Sequence, residues 1–84
     1  YVGHSARLEY IGLMFDRITF DPHIMGGRAC IRGMRIPVSV IVSHFADGAT
    51  FEEVLQEFPA LERDDLRQAL AYAAALTRDE VIAS

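Results

Sequence analysis

The side chains with the most chemical potential in this chain are arginines. Every basic group is Arg, 8 against 12 acids for a formal charge of -4. Arg28, Arg32 and Arg35 fall within residues 22–46, a stretch without a single carboxylate. A cationic patch is therefore set into an acidic protein. Overall acidity weakens nonspecific attraction to nucleic acid, while a focused patch still binds phosphate or an acidic partner. If residues 28–32 are a strand, alternation puts Arg28, Cys30 and Arg32 on one face, and Gly33 lets backbone amides approach an anion. The plainer alternative is a solvated edge, with Gly33 permitting a turn and Arg32 or Arg35 anchoring an acidic helix end.

A second constellation lies further along. Arg63 and Arg67 are spaced i, i+4, with Gln68 beside them, which on a groove-facing helix offers one guanine contact and one adenine contact. The same arginines could instead pair with Asp64 and nearby acids and only decorate a surface. Glu62, Asp64 and Asp65 sit where such a helix would begin, and carboxylates there repel the phosphate backbone. Arg28, Arg32, Arg35, Thr50, Arg63, Arg67 and Gln68 together form the candidate DNA-contact set.

Catalysis finds little in the sequence. No HExxH, GxSxG or GxxxxGK pattern occurs, and an isolated Gly26-Gly27 does not make a phosphate loop. Cys30 could form a dyad with His23 or His44 only if folding joined them, whereas a lone cysteine in a strand is usually core. Asp16 and Asp21 flank a short alternating stretch beside Pro22, where Asp caps turns. No enzyme activity, metal or cofactor is expected.

The elements that must position these groups follow from periodicity. Arg17-Ile18-Thr19-Phe20 alternates and is stopped at Asp21-Pro22; residues 28–32 read as a second strand after a loop of about seven residues. Residues 7–15 are a further strand candidate. From Pro37 the period becomes helical, with Val38, Ile41, Val42 and Phe45 at i, i+3, i+4 and i+7 until Asp47-Gly48. Thr50-Phe51-Glu52-Glu53 is a capping box for a short helix burying Phe51, Val54, Leu55 and Phe58 and closed by Pro59. A third helix is expected over about residues 62–76, with acids in its first turn and Leu66, Ala69, Leu70 and Ala73 on its apolar face. Its alanine-rich half is narrow enough for close helix approach, so Ala69, Ala73 and Leu76 are the candidate dimer contact, although Ala is also simply the best helix former. Thr77 to Glu80 repeats the capping pattern and suggests a last short helix.

The expected architecture is mostly helical α+β in a single domain. It comprises an N-terminal extension (1–15), a β-hairpin region (16–36), a helix-turn-helix bundle of three to four helices (37–77) and a short C-terminal helix (78–84). With 51% hydrophobic residues and five Phe, but only 6 Gly and 3 Pro, a disordered or collagenous chain is excluded. A domain this small is marginal alone, and one Cys supplies no internal disulfide, which points to oligomerisation. One free thiol and no signal-like stretch fit a reducing cytoplasm, and no apolar run is long enough to span a membrane.

Several strings in order carry a resemblance. They are Ile18-Thr19-Phe20-Asp21-Pro22, then Gly26-Gly27-Arg28-Ala29-Cys30-Ile31-Arg32-Gly33-Met34-Arg35-Ile36-Pro37-Val38, then Gly48-Ala49-Thr50-Phe51-Glu52-Glu53-Val54-Leu55, Phe58-Pro59 and Asp65-Leu66 with Ala69-Leu70-Ala71-Tyr72. This chain resembles the prokaryotic domain-of-unknown-function family four-three-three, whose members look like VapB-type antitoxins of toxin-antitoxin pairs. The resemblance implies a hairpin and helix-turn-helix bundle, a homodimer, operator DNA as a ligand and a PIN-like ribonuclease toxin as partner. Glu62 stands where family members often carry Ser or Thr, so the third helix loses a good N-cap. The alternative is a homodimeric protein-interaction domain whose helix-turn-helix is a relic that does not bind DNA.

Overall fold

Two very short strands open the architecture: β1 (Ile18–Thr19) and β2 (Cys30–Ile31). Three helices follow, α1 (Val38–Ala46), α2 (Phe51–Glu57) and α3 (Arg63–Thr77). This computed structural model describes residues 15–78, and the expected strand over 7–15 lies outside them except at Phe15, which is coil. The expected C-terminal helix also lies outside, apart from Arg78, which caps α3. Thr77 is the last residue of α3, and its hydroxyl donates to the Ala74 carbonyl at 2.8 Å.

β1 and β2 pair antiparallel, with Ile18 opposite Ile31 and Thr19 opposite Cys30. The ladder continues one step, because the Arg32 N–H donates to the Arg17 carbonyl at 2.8 Å. Arg17 and Arg32 are thus brought side by side. The second strand is shorter than its sequence suggests for a backbone reason: Arg32 and Gly33 both take positive φ, 45° and 72°. With the Met34 N–H donating to the Ile31 carbonyl at 2.8 Å, this pair forms a tight reversal of the kind that needs two left-handed residues. The chain then returns alongside β2, where Cys30 bridges Pro37 and the Ile31 N–H donates to the Ile36 carbonyl at 3.1 Å. Alternation therefore does not place Arg28, Cys30 and Arg32 on one strand face.

The helices obey their punctuation. Pro37 caps α1, which ends where Gly48 takes φ 93°, a conformation costly to any residue with a Cβ. At α2 the Thr50 hydroxyl accepts from the Glu53 N–H at 3.1 Å while the Glu53 carboxylate accepts from the Thr50 N–H at 2.8 Å. Pro59 follows its C-cap, Phe58. At α3 the missing Ser or Thr is compensated from within: the Asp65 carboxylate reaches back to accept from the Glu62 N–H at 2.8 Å.

The core joins the strands to all three helices through Phe15, Ile18, Ile31, Val38, Ile41, Val54, Leu61, Leu66, Ala69, Tyr72 and Ala75. Burying each larger aliphatic contributes about 1.5–3 kcal/mol before chain entropy is subtracted. Helix α3 is rotated relative to the expected stripe, since it buries Asp65, Leu66, Ala69, Tyr72 and Ala75 while Leu70 and Ala73 stay half-buried. The aromatic residue decides the rotation. Tyr72 meets Phe15 edge-on at 5.4 Å between ring centroids and Phe20 at 5.9 Å, contacts worth about 0.5–1.5 kcal/mol each beyond area. On α2 only Val54 is fully buried, with Phe51, Leu55 and Phe58 packed on the core's margin.

Candidate interaction surface

Asp65 organises the polar side of the molecule. Its side chain is 0% exposed, which is tolerable only if every lone pair is met by a donor. Arg32 donates from Nε to Oδ1 at 2.9 Å and from Nη2 to Oδ2 at 2.8 Å, Arg17 Nη1 donates to Oδ1 at 2.9 Å, and the Glu62 N–H completes the set. Burial pushes the Asp65 carboxyl upward, but the bonds from Arg32, Glu62 and Arg17 outweigh it and hold the group below the ordinary aspartate value. The register of the β1–β2 ladder sets both guanidiniums over the start of α3. Arg32 also donates to the Ala60 carbonyl at 2.9 Å, and Arg17 pairs with Glu62 at 2.9 Å.

The expected DNA-contact set is consequently dispersed. Arg32 belongs to the Asp65 clamp. The amide that Gly33 was expected to offer an anion is already given to the Thr19 hydroxyl at 2.8 Å. Arg63 bonds Glu52 at 2.9 Å and stacks over the Phe51 ring at 5.1 Å, while Arg67 pairs with Asp64 at 2.7 Å. Gln68 accepts from the Arg17 N–H at 2.8 Å and donates to Asp16 at 2.7 Å, tying α3 to the chain entering β1. Thr50 is spent on its cap.

Arg28 and Arg35 remain. Both are exposed and neither pairs with a carboxylate among the described residues. They flank Cys30, whose thiol is 1% exposed and raised by burial, with both arginines opposing that shift. Cys30 is not hydrogen-bonded to His23 or His44 among the described residues; the His44 ring bonds Val40 instead. Asp21 caps a turn by accepting from the His23 N–H at 2.8 Å. Among the described residues no group of three or more His, Cys, Asp or Glu could hold a metal ion.

Beside Arg28 an open cleft of about 540 Å³ runs between α1 and α3. Val38, Val42, Tyr72, Ala73 and Leu76 make it apolar, with Arg28, Ser39 and Ser43 among its lining. The Tyr72 hydroxyl makes no hydrogen bond among the described residues and keeps contact with solvent, although the residue as a whole is only 7% exposed. Of the three expected dimer-contact residues, Ala73 and Leu76 reach this cleft. Ala69 does not: it is 0% exposed within the chain's own core, because the rotation of α3 turns it inward. Neither the cleft nor the role of Tyr72 was visible from sequence, since an unpaired Tyr in an apolar stripe looks the same as any core residue.

Residues 18–73 match the family model described as protein of unknown function (DUF433). The chain belongs to the DUF433 family. It is 34% identical over 73 residues to the uncharacterized protein y4eO of Sinorhizobium fredii, covering 87% of this chain and 33% of that protein. The chain thus spans about a third of the length of this curated relative. A crystal structure of a DUF433 member from Anabaena variabilis superposes with a TM-score of 0.69 and 31% identity, covering 92% of this chain and 75% of that one. The strand pair and helical bundle are therefore the DUF433 fold. No helix among the described residues is long and apolar enough to cross a membrane.

Proposed function

We propose that this DUF433 chain is a protein-interaction domain whose helix-turn-helix outline serves as a scaffold and does not read DNA. The observation that carries this reading is the state of α3: Arg63 and Arg67 are bonded to Glu52 and Asp64. With its arginines so engaged and Asp65 buried, the start of α3 offers a phosphate no uncommitted cation among the described residues, in the part of a recognition helix that normally meets the backbone. Asp65 is needed inside the fold, where it holds the strands. The relation to a longer protein, of which this chain covers 33%, supports a module acting within or beside other domains.

A second reading, operator binding by a VapB-type antitoxin that neutralises a PIN-like ribonuclease, is favoured by one specific observation. Arg28 and Arg35 are exposed, lack carboxylate partners among the described residues and lie in an acid-free stretch. Fluorescence anisotropy with a labelled duplex from upstream of the chain's own gene tests the two. The interaction-domain reading expects no measurable binding at about 50 mM salt. Binding that falls about a thousandfold or more by about 200 mM salt, with a slope flattened by Arg28→Ala and Arg35→Ala, would overturn it in favour of the antitoxin.

A further inference from the structure

Resting on the interaction-domain reading, we propose that the α1–α3 cleft receives an apolar segment of a partner protein that carries a carboxylate for Arg28. The cleft's length, from Val38 to Val42 on one wall and Tyr72 to Leu76 on the other, is about one helical turn, enough for two side chains spaced i, i+3 or i+4. Its apolar walls exclude a phosphate backbone as the natural occupant. Two polar groups at the cleft lack protein partners among the described residues: the exposed Arg28 guanidinium and the Tyr72 hydroxyl, which keeps contact with solvent although the residue as a whole is buried. A carboxylate entering among apolar groups replaces the water at both with a charged acceptor.

Charge also decides against a second copy of this chain. In a twofold contact the same patch meets itself, and among the described residues the cleft lining holds a cation and no Asp or Glu. Such a contact would bury Arg28 without a counter-charge, which is costly. A partner of different sequence, acidic at one position, has no such penalty.

Selection of short random peptides displayed against the immobilised full-length chain tests this, run in parallel on Arg28→Glu, Tyr72→Phe and Ala73→Trp. Arg28 and Ala73 lie outside the Asp65 clamp, and amide spectra of each variant establish that it is folded. The expected result is a consensus of two apolar residues at helical spacing with an Asp or Glu beside them. Ala73→Trp should fill the cleft and abolish binding, Tyr72→Phe should weaken it about threefold, and Arg28→Glu should weaken it about tenfold and shift the selected charge to Lys or Arg. Peptides that bind all three variants equally would overturn the cleft while leaving an interaction domain in place. Absence of enriched peptides, or a dimer at sedimentation equilibrium that Ala73→Trp dissociates, would overturn it too. Duplex binding in the anisotropy measurement would instead remove the reading on which it rests.

Discussion

Arg32 grips Asp65 through two parallel hydrogen bonds, Nε to Oδ1 at 2.9 Å and Nη2 to Oδ2 at 2.8 Å, from a backbone held at φ 45°. A left-handed conformation is unfavourable for any residue with a Cβ. It is accepted here because it turns the guanidinium away from the strand and onto the first turn of α3. The fork geometry of Arg suits a planar carboxylate in a way that Lys cannot copy. One interaction thereby joins the strand pair to the third helix across 33 residues of sequence.

Removing the carboxylate should therefore be far more damaging than an average surface change. Asp65→Ala leaves the Glu62 N–H without its acceptor and two converging guanidiniums without their counter-charge. Because the arginines keep some contact with water, a loss of about 3 kcal/mol is expected, at the low end for breaking a buried pair. Urea denaturation monitored by far-ultraviolet circular dichroism reads it directly. A shift in midpoint worth less than about 1 kcal/mol would mean that the clamp contributes no more than an exposed ion pair.

The clamp also marks how far the sequence could be read. Short local signals were legible: the Thr50–Glu53 capping box, the Pro59 stop, the turn glycines and the apolar spacing of Val38 and Ile41 all translated into structure. What failed was tertiary. Nothing local distinguishes Asp65, which is wholly buried, from its neighbour Asp64, which is exposed. Only the pairing register that brings Arg17 beside Arg32 makes the difference. Arg32 could be read as an anion contact or as an anchor on an acidic helix end, and the strand register makes it the anchor. Ala69 looked like a subunit contact and Leu70 like core, and the orientation of α3, with Tyr72 on Phe15 and Phe20, buries Ala69 and leaves Leu70 half-buried.

Acid should release the clamp. The Asp65 carboxyl sits below its ordinary value in the folded chain: burial raises it, but the hydrogen bonds from Arg32, the Glu62 amide and Arg17 lower it by more. A carboxylate with a depressed folded value contributes stability that is complete above its unfolded value, about 3.9, and is lost as pH falls through the folded one. Wild-type stability should decline as pH drops below about 4, and Asp65→Asn, weaker from the start, should show a shallower decline. Equal slopes in the two proteins over that range would place the acid sensitivity elsewhere.

His44 should give a dependence of opposite sign at higher pH. Its Nδ1 lies 2.9 Å from the Val40 carbonyl, its Nε2 lies 3.7 Å from Glu57, and its ring packs edge-on against Phe58 at 5.3 Å. The bond to Val40 leads the causes that raise its value, with Glu57 and Asp47 adding to it against partial burial. A raised folded value means that the contribution is complete below the unfolded value, about 6.5, and disappears as pH rises through the folded one. Thermal denaturation from about pH 6 to pH 8 should show a falling midpoint in the wild type and a flatter line in His44→Gln. A midpoint that rises over this interval in the wild type alone would contradict the assignment.

Thr50 separates a structural role from a nucleic-acid one. Its hydroxyl accepts from the Glu53 N–H at 3.1 Å and its own N–H is held by the Glu53 carboxylate at 2.8 Å, so two amides at the start of α2 are satisfied from inside the chain. Thr50→Ala removes one half of this box and should cost about 1 kcal/mol of stability. Thr50→Ser keeps the hydroxyl and should recover most of that loss. A phosphate contact would behave differently, because Thr50→Ala would then weaken duplex binding at low salt while Thr50→Ser preserved it. Paired denaturation and anisotropy measurements on the two variants distinguish these outcomes: the cap predicts a change in the first and none in the second, and the reverse pattern would return Thr50 to the DNA-contact set.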